Sequence, residues 1–175
     1  MNERRHHIAQ VNVGILKEPL DSPRLADFVA WLDPINAIAD QSRGFVWRLQ
    51  TDEGNATALR IFADSGASIL VNMSVWESIE ALVAYVYSSA HVAVLRRRRE
   101  WFEKLRESHM ALWWVAAGHH PSIAEAEDRL GRLREVGPTP YAFTFDRAFA
   151  AGGLMIPFDA RSAYRRPKQK DISEA

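Results

Sequence analysis

The chain has 175 residues, a length that fits one domain, and 47% of them are apolar, enough to bury a core. Its 22 Lys and Arg balance its 22 Asp and Glu, so charge argues against a nucleic acid or a membrane surface as partner. The absence of cysteine excludes thiol catalysis, disulfides and thiolate metal sites.

The opening MNERRHHIAQ is basic but lacks the apolar stretch of a signal peptide. No run of about 20 apolar residues is present to span a bilayer. A cytoplasmic protein is expected. His7 to Leu16, rich in apolar and β-branched residues, reads as the first strand. Ser22 followed by Pro23 starts a helix, a side-chain cap and then proline at the first helical position. Leu25, Phe28, Val29 and Leu32 continue at helical spacing. Pro34 is expected to kink or restart that helix, with Asp33 as a new cap, and Ile35, Ile38 and Ala39 extend its apolar face.

Phe45 to Gln50 reads as a second strand and Asp52 to Asn55 as a turn. Thr57 to Phe62 is expected to be a shorter strand or a strand extension, followed by a turn at Asp64, Ser65 and Gly66. Ser68 to Trp76 is almost continuously apolar, the pattern of a strand buried on both faces. Ser78 caps the next helix, which is open to interruption near Ser88 and Ser89 and runs to about Leu105. Met110 to Ala116 is a further strand. Ser122 and Glu125 form the capping box of another helix, which Gly137 and Pro138 end. Tyr141 to Phe145 reads as the last strand. Residues 1–150 therefore form one domain and residues 151–175 an extension, loose from Arg165 onward.

Two βαβ-like halves on one antiparallel sheet predict an α+β fold, a ferredoxin-like sandwich with helices on one face. Strands apolar on both faces need a second cover, and a second subunit is the simplest one.

Several runs also resemble a known family. They are FVWRL at Phe45 to Leu49, NMSVWES at Asn72 to Ser78, and YVYSSAH at Tyr85 to His91 with LRRRREWF after it. LWWVAAGHHPSIAEAEDRL from Leu112 and GPTPYAFTF from Gly137 complete the set. Together, over His7 to Phe145, they resemble the uncharacterised family DUF3291. The resemblance implies a dimeric α/β barrel, in which two ferredoxin-like sheets pack face to face in a homodimer. That superfamily includes cofactor-free quinol monooxygenases, haem-degrading monooxygenases, isomerases, polyketide cyclases and binding proteins. Haem-degrading members carry an asparagine on the first strand, which Asn12 matches, and a tryptophan on the second helix. Here that helix holds Tyr85 and Tyr87 instead, and His91 falls about one turn before the haem-ligating position.

Among residues that could carry chemistry, His91 leads. Helical spacing puts Tyr87, His91, Leu95 and Arg98 on one face. His91 is either a general base, hydrogen-bond donor or metal ligand, or a core histidine bonded to a backbone carbonyl or a tyrosine hydroxyl. Asn12, Arg48 and Asn72 are polar residues within apolar strands and need partners, which a substrate oxygen or strand irregularities could supply. Asn72 shares a strand face with Ser74 and Trp76. Trp76 and Trp114 are candidate walls of an aromatic pocket, and Trp113 must point to the face opposite Trp114. The Arg96 to Arg99 run is expected to be solvated and ion-paired, since successive helical residues point about 100° apart. His109, His119 and His120 lie in no recognisable metal-binding spacing.

The expected function is a small-molecule enzyme of the cofactor-free monooxygenase or isomerase/cyclase type. In it His91 moves a proton and Asn12, Arg48 and Asn72 position a carbonyl or phenolate on an aromatic or apolar ligand. The rivals are a ligand-binding or structural dimer without catalysis, and a haem-binding protein.

Overall fold

The computed structural model describes residues 6–52, 54–62 and 69–159. The expected turn at Asp64, Ser65 and Gly66 and the expected loose tail from Arg165 lie outside the described residues.

Four strands form the sheet: β1 (His6–Ile15), β2 (Phe45–Arg48), β3 (Ile69–Trp76) and β4 (Met110–Ala116). They run antiparallel in the order β2-β3-β1-β4. A helix, α1 (Ala26–Asp40), joins β1 to β2; α2 (Ile79–Val86) and α3 (Ser89–Trp101) join β3 to β4. This βαββαβ order, with the first and third strands central, is the ferredoxin-like arrangement expected from the sequence. α4 (Ile123–Val136) follows, and a small hairpin, β5 (Ala148–Phe149) and β6 (Met155–Ile156), closes the described chain. Packing continues past residue 150: Ile156 and Phe158 rest on the same core as Trp76 and Phe143.

The capping signals act where expected. The Ser22, Ser78 and Ser122 hydroxyls accept from the backbone N–H groups of Arg24, Ala81 and Glu125. Pro34 neither ends nor restarts α1, which runs through it for 15 residues. One missing N–H costs less than a new helix start when the flanking turns are held. Thr57 to Phe62 forms turns, not a strand, and Phe62 takes a left-handed φ of 52°. Its side chain and Leu59 pack beneath the sheet, a role that imitates strand hydrophobicity. Tyr141 to Phe145 makes single bridges, Leu112 to Phe143 among them, rather than a continuous strand.

Register decides which residues share a face. Ile8, Gln10, Asn12 and Gly14 of β1 lie opposite Trp76, Ser74, Asn72 and Leu70 of β3. α1, α2 and α3 cover that face. The other face carries Ala9, Val11, Val13, Val71, Met73, Val75 and Trp113, all buried. Ala126, Leu130 and Leu133 of α4 cover it together with Ile61. Their i, i+4, i+7 spacing makes one apolar stripe. The expectation of helices on a single face is thus corrected. The chain supplies its own second cover, so the apolar face that called for a second subunit is already closed.

Candidate functional site

Between the sheet and α1–α3 lies a cavity of about 510 Å³, within the usual range of small-molecule sites. Its floor is polar, an unusual choice in the centre of a sheet. Gln10 and Asn12 of β1 and Asn72 and Ser74 of β3 form it. Gln10 Nε2 donates to Asn72 Oδ1 at 3.0 Å. That bond occupies the Asn72 carbonyl and leaves its two amide N–H groups as donors. Asn72 is solvent-exposed although β3 is an interior strand, because the cavity opens outward above it. The walls are apolar: Phe28, Leu32 and Ile35 from α1 and Val94 from α3.

His91 stands on one wall. α2 stops at Val86, and the Ser88 side chain caps α3 by accepting from His91 N at 3.4 Å. A serine that can bond the backbone itself offers the chain a new helix start there. The interruption turns the His91 ring back onto the end of α2, where Nδ1 lies 2.9 Å from the Val86 carbonyl oxygen. A carbonyl only accepts, so Nδ1 carries the proton and donates it, and the neutral ring keeps a lone pair on Nε2. Among the described residues no protein group bonds Nε2. Burial holds His91 below the ordinary histidine pKa, and the Val86 carbonyl opposes that shift only in part. The imidazole is therefore an unprotonated base at neutral pH.

Tyr85 packs against His91 with ring centroids 4.8 Å apart and stacks on Trp76 at 5.0 Å. Burial pushes its pKa up to about 12, which keeps the phenol protonated. Its hydroxyl donates to the Ile35 carbonyl at 3.5 Å, tying α2 to α1.

Asn12, Asn72, Tyr87 and His91 all line this cavity. Three other expected site residues are not brought to it. Arg48 donates from Nε and Nη2 to both Asp40 carboxylate oxygens, at 2.8 and 3.2 Å, and from Nη1 to the Gly54 carbonyl at 2.7 Å. Its guanidinium fastens β2 to α1 and to the loop after β2. Trp76 is fully buried, with Nε1 on Ser74 Oγ at 2.9 Å. Trp114 donates to the Phe149 carbonyl at 2.6 Å and packs in the core under the β5–β6 hairpin. Trp113, on the opposite face as alternation requires, donates to Glu125 Oε1 at 2.9 Å.

Gln10, Tyr85 and Arg98 were not picked out as site residues. Gln10 was readable, since alternation puts it beside Asn12 on β1. Helical spacing sets Arg98 on the His91 face, but the arginine run gives no sign that it alone turns to the cavity. Its neighbour Arg97 follows the expected surface pattern, pairing with Asp27 at 2.7 Å and Glu100 at 2.8 Å.

The arrangement suits proton transfer. A base on the wall of a cavity floored by amide donors can take a proton from an acidic O–H or C–H while the amides hold the oxygen that becomes negative. Among the described residues no three His, Asp or Glu side chains group to hold a metal, and no helix is long and apolar enough to cross a membrane. Haem fits poorly. The His91 ring is covered on one side by Tyr85, and polar amides rather than a flat apolar surface form the cavity floor.

Comparison with known proteins gives the following. A search of curated sequences finds no match. Three solved structures are similar at low identity. A mutant of SnoaB, a cofactor-independent oxygenase from Streptomyces nogalater, is 14% identical, with 65% of this chain and 95% of that one covered and a TM-score of 0.40. Rv0793 from Mycobacterium tuberculosis is 14% identical, with 66% and 99% covered and a TM-score of 0.42. NE2512, a protein of unknown function from Nitrosomonas europaea, is 13% identical, with 68% and 98% covered and a TM-score of 0.39. A family model matches residues 7–156, nearly all of the described fold, and the chain belongs to that family, Domain of unknown function (DUF3291).

Proposed function

We propose that this protein is an enzyme that moves a proton on a small, largely apolar organic molecule, with His91 as general base. The observation that carries this reading is the His91 ring: Nδ1–H fixed on the Val86 carbonyl, Nε2 bare, the whole side chain on a cavity wall. The substrate oxygen rests on the Asn12 and Asn72 amides, a carbonyl before proton removal and an enolate or phenolate after it. Returning the proton at a second carbon completes an isomerisation. Addition of the carbanion to a second carbonyl gives the cyclase variant; in the cofactor-free monooxygenase variant the carbanion itself reduces dioxygen to a protonated peroxide, which collapses to a new carbonyl as the other oxygen leaves as water. Arg48 has no part in this reading, because its donors are committed to Asp40 and Gly54.

The test is a panel of 1,3-dicarbonyls, phenols and hydroquinones, with deuterium incorporation from D₂O and dioxygen uptake as readouts. His91→Ala is expected to lower either rate by about 10²-fold or more. Equal rates in the variant and the parent protein would reject His91 as the base. Ligand binding without turnover would favour the non-catalytic rival.

The partner in this reading is a second copy of the chain, as the family resemblance implies, docked elsewhere than on the sheet face that α4 fills. A cytoplasmic location belongs to the same proposal, supported by the lack of cysteine. Haemin titration is expected to give no Soret change that His91→Ala abolishes.

A further inference from the structure

Arg98 is the one side chain of the arginine run that lines the cavity. It is half-buried, and among the described residues it pairs with no carboxylate. Its side chain donates from Nη2 to the Val13 carbonyl at 3.3 Å, and its guanidinium lies 5.9 Å from the Phe102 ring centroid. A guanidinium has five N–H donors in a fork that matches a carboxylate. Here the fork lines the cavity, and among the described residues most of its donors are unused. Burying a cation without an anion is costly, so a site of this kind gains by receiving one.

The charge of that anion is limited by the neighbours. His109 also lines the cavity, and burial together with Arg98 and Arg134 disfavours its protonation. Arg134 is engaged elsewhere, with the Ser108 carbonyl at 2.9 Å and Glu107 at 3.4 Å. One formal positive charge is therefore on offer, which balances a monoanion and not a dianionic phosphate.

Position sets the length. Arg98 follows His91 by seven residues on the same helix, so the two share a face and stand roughly 10 Å apart along the axis. We infer that the ligand is an amphipathic monocarboxylic acid with an apolar body. Its carboxylate sits in the Arg98 fork and its reacting end lies under His91. This inference deepens the proposed function and rests on it for the role of His91, but the recognition of the carboxylate is tested separately.

The probes are 6-hydroxy-2-naphthoate and its neutral amide, 6-hydroxy-2-naphthamide, titrated into the full chain and followed by naphthol fluorescence. The acid is expected to bind at least about tenfold more tightly than the amide. Arg98→Gln should abolish that preference and leave amide affinity unchanged, while Arg98→Lys should keep part of it. His91→Gln should leave the acid-to-amide ratio intact, so a failure of the base assignment does not register here. Thermal melts identify a variant that has lost its fold, and in that event the Lys variant and the ratio in the parent protein decide. Equal affinity for both probes in the parent protein, no binding of either, or a preference that survives Arg98→Gln overturns the inference.

Discussion

His91 is neutral because it is buried, and that has a measurable sign. The folded-state pKa values of His91 and His109 both lie below the ordinary one. Between the folded and ordinary values the unfolded chain binds protons that the folded chain refuses. Stability present above the ordinary histidine range is then lost as pH falls through the folded values. Urea midpoints should drop as pH falls below the ordinary histidine range, and His91→Gln and His109→Gln should each flatten the drop. Arg48 makes a contrasting case at the same scale. Its side chain is 13% exposed and holds Asp40 and Gly54. Arg48→Met is expected to cost about 1–3 kcal/mol in a denaturant titration while leaving naphthoate affinity unchanged. Alternation could show that Arg48 was a polar residue in a strand. It could not show that Asp40, eight residues earlier, would meet it, because that contact depends on how α1 returns to the sheet.

At the scale of elements, the break between α2 and α3 does more for the site than either helix alone. An unbroken helix would hold His91 one turn above Tyr87. The Ser88 start instead sets its ring on Tyr85 and on the Val86 carbonyl. Ser88→Ala is expected to cost about 0.5–2 kcal/mol and to move the His91 Cε1 proton resonance, which NMR reads directly. β1 contributes a second local constraint. A Cβ at Gly14 would come within 2.5 Å of Phe102 Cδ1, so the ring at the end of α3 lies directly on the strand backbone. Gly14→Ala should destabilise the fold by about 1–3 kcal/mol through overpacking. Elements with local signals were legible: the caps at Ser22, Ser78 and Ser122 and the apolar runs of β1, β3 and β4. Thr57 to Phe62 was misread because burying Leu59, Ile61 and Phe62 under a sheet gives the same alternation as joining it.

For the whole molecule, the sheet separates two cores of different character. One, closed by α4, is built from apolar side chains of β1, β3, β4 and α4. The other holds the cavity and its row of amides. Asn12 and Asn72 were each visible as odd polar residues, but only the register that sets them opposite one another turns them into a floor. Leu130 is fully buried between α4 and the sheet, and Leu130→Ala should cost about 2–5 kcal/mol in a denaturant titration without touching the probe site. α1 is held far less firmly: of its 15 residues only Ala39 is buried, although its inner side walls the cavity. A helix with so few buried contacts opens often. Amide deuterium exchange should therefore find α1 the fastest-exchanging wall of the molecule and α4 among the slowest. Filling the cavity should slow α1 alone, so that the protein's softest element becomes the gauge of its occupancy.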